Sequence, residues 1–219
     1  MVSIINIQDY YDIPALASSI KERKPYETML QGPTDASREF ISKALEMYLK
    51  EFDRESIHNL MCLCMEEIIS NSVKANIKRA YFIHNKLDIN DPEQYQAGMQ
   101  HFRELGMSKV KQVEFISFVQ DLGFYVKIRF SIDNDILTIT TRNNSIISPK
   151  ELERINNKVH LSENKTSEDI FMNSVDMTEG CGLGIIMIKK IMDQVSTIAD
   201  SFSISADETD TITELKINI

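Results

Sequence analysis

Apolar residues recur along this chain in two rhythms, and the switches between them mark out its elements. Phe40, Ile41, Ala44, Leu45, Tyr48 and Leu49 fall at helical spacing, so a helix capped by Thr34 or Asp35 is predicted to run through Phe52. Asp53 to Ser56 breaks it, and a second helix follows from about Ile57 to Tyr81. Phe124–Ile132 and Ile136–Thr141 instead alternate with period two, the pattern of strands with one buried face. Asp133-Asn134-Asp135 between them reads as a hairpin turn, because Asn and Asp tolerate the left-handed backbone that tight turns require. Lys150–Asn157 is predicted as a short helix, Gly184–Val195 as an apolar one, and Ser201–Ser205 and Thr211–Ile219 as strands around Asp207-Glu208-Thr209-Asp210. Upstream, a strand or arm at Val2–Ile7 and a helix around Ile13–Lys24 precede the Gly32-Pro33 break. Asp91-Pro92 opens a long helix or helix pair, Glu93–Leu122, interrupted at Gly106.

Composition narrows this α+β picture. At 219 residues, 42% hydrophobic and 26% charged, the chain suits one globular domain with an appendage. No apolar run approaches the length of a bilayer span, and the opening Met1-Val2-Ser3-Ile4 lacks the basic start of a signal peptide. A net charge of −9 without a Lys/Arg block argues against nucleic acid and anionic membrane, and makes a protein partner the better expectation. Cys62 and Cys64, two apart on a helix, point to different faces, and with Cys181 they complete no metal set. An odd count without a disulfide framework fits a reducing cytoplasm.

Two segments carry chemistry. In Glu67-Ile68-Ile69-Ser70-Asn71-Ser72-Val73-Lys74-Ala75-Asn76, Glu67 and Asn71 share a helix face and Lys74 lies about one turn on. Carboxylate, amide oxygen and cation together can position a nucleophile, hold a divalent metal and meet phosphate. Gly180-Cys181-Gly182-Leu183-Gly184 precedes an apolar helix, where bare N–H groups and the positive helix end can receive phosphates. Taken singly, the first also describes a polar stripe on a core helix and the second a tight turn. Their order, with a β-rich middle between them, points to a nucleotide site.

Together these segments resemble the N-box and second glycine box of the GHKL ATPase superfamily, which includes gyrase B, sensor histidine kinases and anti-sigma serine kinases. The resemblance covers roughly residues 35–219. It implies a two-layer α/β sandwich, with a mixed, mostly antiparallel sheet covered by helices on one face. It divides the chain into an arm at 1–33 and an ATP-binding domain at 34–219, with a helical insertion at about 82–122 and an ATP lid at about 156–182. It implies ATP and Mg²⁺ as cofactors: Asn71 would coordinate the metal, Glu67 would act as base, and Gly180, Gly182 and Gly184 would contact phosphates. Lys74, Ala75, Thr178 and Leu183 would line the nucleotide beside them.

One motif departs from the family. The box whose Asp accepts from the adenine amine reads Thr141-Arg142-Asn143-Asn144-Ser145-Ile146-Ile147 here. Asn143 stands in the place of that Asp, with an amide oxygen as a weaker acceptor, while Ser145 and Ile147 replace two glycines. Asp133 and Asp135 are tempting substitutes but belong to the hairpin turn. His58 resembles a phosphoacceptor superficially, yet it shares a helix with the N-box and reads as an ordinary helix residue. Glu67 favours the anti-sigma serine kinase layout over histidine kinases, whose acceptor needs no base. The resemblance thus implies a stand-alone cytoplasmic signalling protein, a serine/threonine kinase whose partner is a regulator or is sigma-factor-like. The alternatives are a pseudo-ATPase kept as an interaction module, and a histidine kinase-like domain acting in trans. The insertion is either packing or a partner or homodimer surface.

Overall fold

Strands β1 (Tyr26–Leu30), β2 (Val126–Asp133), β3 (Ile136–Asn143), β4 (Phe202–Ala206) and β5 (Thr211–Asn218) lie in one sheet in the order β1-β2-β3-β5-β4. A computed structural model describes residues 11–30, 34–104, 118–162 and 183–219. Every neighbouring pair is antiparallel, where a mixed sheet is expected from the family resemblance. Asp133 pairs with Ile136, so Asn134 and Asp135 alone close the hairpin, both at positive φ (47° and 57°). This is a type I′ turn, the one whose twist matches its strands, at the predicted place.

The sheet has one wet face and one dry face. Leu137, Ile139, Thr141 and Asn143 of β3 are buried, as are Val126, Ile128 and Phe130 of β2. The other face carries Lys127 opposite Arg142 and Arg129 opposite Thr140. Against the dry face pack α1 (Ile13–Lys21), α2 (Asp35–Glu51), α3 (His58–His84) and α6 (Leu183–Val195). Phe40, Leu45, Tyr48, Met61, Met65, Ile188 and Met192 meet Ile128, Phe130, Leu137, Ile139 and Leu215 in one core. Tyr48 stacks on Phe130 with ring centroids 5.0 Å apart. Two further helices are α4 (Pro92–Glu104) and α5 (Pro149–Ser162).

Boundaries follow local chemistry. The Thr34 hydroxyl accepts from Ser37 N at 3.1 Å and starts α2 where the sequence indicates. A single 3₁₀ turn, Glu55–Ile57, leads into α3, which outlasts its predicted end at Tyr81 because Tyr81 and Phe82 are buried with Met99 of α4. Residues 13–30 of the expected arm supply α1 and the edge strand β1, and Leu16, Ile20 and Leu30 enter the main core. Five residues directly after Pro25 are too short a run to announce a strand by alternation. Helix α5 continues to Ser162, so the segment expected as a lid begins inside a helix. The predicted strand Val2–Ile7 and residues 163–182 lie outside the described residues, and the predicted helix after Asp91 is described as α4 and again at 118–121.

Candidate functional site

Helix α3 sets Glu67, Asn71 and Lys74 on successive turns of one side while Met65, Ile68, Ile69 and Ser72 anchor the other in the core. Asn71 Nδ2 donates to Glu67 Oε1 at 3.0 Å. With its nitrogen held there, the Asn71 amide has its oxygen left over, and no described residue donates to it. Lys74 is exposed and has no ion pair among the described residues. Ala75, one turn beyond Asn71, is half-buried.

Gly184, in the first turn of α6, lies directly on this group. A Cβ there would sit 2.0 Å from Glu67 Oε1, 2.3 Å from its Cδ and 2.7 Å from its Cγ. Only the absence of a side chain lets the helix end and the carboxylate approach so closely. The two motifs, distant in sequence, are therefore neighbours in space. Leu183 opens α6 and is half-buried. Thr178, Gly180 and Gly182 lie outside the described residues.

Asn143 ends β3 with only 3% of its surface exposed. Its surroundings fix its orientation step by step. Asn76 Nδ2 donates to the Tyr125 carbonyl at 2.9 Å, so Asn76 Oδ1 is an acceptor, and it receives the Ser145 hydroxyl at 2.7 Å. Asn143 Nδ2 faces that same oxygen at 3.4 Å and the Ser145 carbonyl at 3.3 Å. Both neighbours are acceptors, so the nitrogen of Asn143 must be on their side. Its Oδ1 receives no hydrogen bond from a described residue and is not sealed from solvent. Asn143 thus offers an acceptor and no donor. The Thr211 hydroxyl donates to Ser145 O at 2.6 Å and accepts from Ile147 N at 2.8 Å, pinning the segment that follows.

The other candidates stay outside this group. Asp133 and Asp135 sit at the opposite end of β3 from Asn143, and Asp135 pairs with Arg23 at 2.9 Å. His58 Nε2 lies 3.0 Å from the Ser42 carbonyl and 3.5 Å from Cys62 Sγ, in the seam between α2 and α3. Burial pushes the Cys64 thiol up to about 12 and raises Cys62 too, which leaves neither a ready nucleophile. No group of three or more His, Cys, Asp or Glu among the described residues is arranged for a metal. A hard cation that keeps waters and takes phosphate oxygens needs fewer protein ligands, and the spare oxygen of Asn71 suits it.

No family model matches the chain, and no solved structure matches it. An uncharacterized protein of Treponema pallidum (strain Nichols) is 25% identical over 226 residues, across 97% of this chain and 43% of that protein. The chain thus spans less than half the length of this relative.

Several structuring residues carry no signal of their own in the sequence. Asn76 closes the N-box segment, but nothing there reveals that it orients Asn143 and Ser145. Lys78 and Glu151 form an ion pair at 2.5 Å with side chains only 15% and 13% exposed. Glu151 also accepts from Ser148 N at 2.9 Å and Ser148 Oγ at 2.8 Å, closing a capping box at the start of α5. Burial alone would raise this carboxyl, but Lys78 and Ser148 outweigh it and hold it at about 2. The spacing Ser148-x-x-Glu151 was the one available signal for it.

Proposed function

We propose that this chain binds Mg-ATP in the manner of the GHKL superfamily and acts in signalling, as a serine/threonine protein kinase of anti-sigma type. The observation that carries the reading is the contact of Glu67 with Gly184, which joins carboxylate, amide and a helix N-terminus in one place. Asn143 supports it. The family position is filled by an amide, but the network turns that amide so that only its oxygen is on offer, as a carboxylate would be. An acceptor suits the amino group of adenine.

In this reading Asn71 would hold Mg²⁺ through its amide oxygen, which no described residue engages. The metal, when bound, neutralises phosphate charge. Glu67 accepts the proton of an attacking hydroxyl, and Asn71 keeps its carboxylate facing the helix end. Lys74, an exposed ammonium one turn on without a partner among the described residues, meets phosphate charge, which is most of what phosphoryl transfer asks of a protein. Ala75, Leu183 and Gly184 line the nucleotide by backbone and shape, and Thr178, Gly180 and Gly182 would complete the phosphate contacts. The site of action would be the cytoplasm, on a protein regulator.

A second reading is a pseudo-ATPase that keeps the fold to engage partners. The replacement of two box glycines favours it, since the Ser145 side chain is tied into the Asn76 network and Ile147 brings a half-buried side chain to the other position. Labelled Mg-ATP decides between them. Turnover or phosphotransfer that disappears in Glu67→Ala supports the kinase, and absence of both in wild type, with candidate regulators supplied, supports the module.

A further inference from the structure

Beyond Asn76, the C-terminal turns of α3 border a second recess. It has a volume of about 380 Å³ and is lined by Arg79, Ile83, Phe124, Asn144, Ile146 and Ile147 among others. Asn71, Asn76 and Asn143 do not line it. Asn71 and Ile83 are twelve residues apart on one helix, about 18 Å along its axis. The recess therefore adjoins the candidate nucleotide site at Ser145, which bonds Asn76 and Asn143, and extends from there away from Asn71.

Its chemistry is specific. Ile83 and Ile146, 53% and 40% exposed, are two of the six exposed large hydrophobics among the described residues, and both stand at this one recess. Arg79 is the only charged residue among the described lining residues, although the whole chain carries a net charge of −9. Its guanidinium is tethered by one bond, Nη2 to the Ile146 carbonyl, and its other donors have no partner among the described residues and are not sealed off. Glu151, just beyond the lining residue Ser148, is occupied by Lys78 and the Ser148 N–H. The wall formed by residues 144–147, to which Arg79 is bonded, is pinned in place. Asn144 receives Tyr125 N at 2.8 Å and donates to Gly123 O at 2.9 Å, and Thr211 anchors Ser145 and Ile147.

We infer that this recess is a binding site for a small organic anion with a flat apolar body, whose carboxylate or sulfonate meets Arg79 while the body packs on Ile83, Phe124 and Ile146. A guanidinium presents a fork that fits a carboxylate, and the recess, open to solvent on one side, has a volume within the range of small-ligand sites. The site stands on its own geometry, independent of the nucleotide reading.

The test is a titration of ¹⁵N-labelled protein with 2-naphthoate and, separately, with its neutral isostere 2-naphthamide. Naphthoate should give saturating amide shifts over 145–148 and 79–83, and naphthamide should bind at least about tenfold more weakly. Arg79→Met should erase that preference. Ile83→Asp, at an exposed position that leaves the core intact, should weaken naphthoate by at least about tenfold, and Asn71→Ala should leave it unchanged. Absence of saturating shifts up to the solubility limit, or equal binding of acid and amide by wild type, overturns the inference.

Discussion

The two halves of α3 treat their polar groups in opposite ways. From Asn76 onward almost every one is consumed. Asn76 uses both ends of its amide and Lys78 is paired with Glu151, while Arg79 spends one donor on Ile146 and keeps the rest. From Glu67 to Lys74 the valences are left open: the Asn71 oxygen and the Lys74 ammonium have no partner among the described residues. Filled polar groups hold elements together, because a buried donor or acceptor without a partner is costly. Open ones at a helix end, beside a glycine that admits close approach, do nothing for the fold. That contrast is the reason to place the nucleotide chemistry in the first half and the anchoring of β3 in the second.

The largest effect should come from the filled half. Glu151→Ala strips the carboxylate from a mostly buried ammonium and should cost about 3–5 kcal/mol in urea unfolding at pH 7. The same pair sets a pH dependence. The folded carboxyl lies at about 2, below its ordinary 4.5, so its contribution is complete above 4.5 and fades as pH falls toward 2. The gap in stability between wild type and Glu151→Gln should narrow over that interval.

Next comes a substitution that installs the residue carried by the superfamily the chain resembles. Asn143→Asp would turn a carboxylate toward Asn76 Oδ1 and Ser145 O, both acceptors, and should destabilise by roughly 1–3 kcal/mol. A stability equal to wild type would mean that the amide network is not what holds this position.

Gly184→Ala probes the junction. Its Cβ must evict Glu67, yet alanine is worth up to about 1 kcal/mol over glycine in a helix. The substitution should therefore be stabilising in a Glu67→Ala background and neutral or worse in wild type, a coupling of about 1 kcal/mol in a double-mutant cycle. Additive effects would separate the two motifs. Smallest of all, Lys74→Met should shift stability by no more than about 0.5 kcal/mol while weakening nucleotide binding.

Legibility in the sequence followed the range of the interactions. The Thr34 cap, the Asn134–Asp135 turn, helix α6 and the period-two strands depend on neighbours within a few residues, and all are found where the pattern places them. Glu67, Asn71 and Gly184 were readable as motifs, although only folding brings Gly184 against Glu67. Strand β1 was not readable, because its place in the sheet is set by pairing with β2, far downstream. The roles of Asn76, Ser145 and Thr211 were equally hidden. Each is an ordinary polar residue until the end of β3 is brought beside α3.

We propose that the open half of α3 binds Mg-ATP through Asn71. Thermal unfolding of wild type and Asn71→Ala, each with and without Mg-ATP, tests it most directly. Nucleotide at one hundred times its dissociation constant stabilises a native state by about 2.7 kcal/mol, an upward shift of several degrees at this chain length. The account predicts that shift in wild type, none in Asn71→Ala, and similar midpoints for the two proteins without nucleotide. No shift in wild type, or an equal shift in the variant, would contradict it.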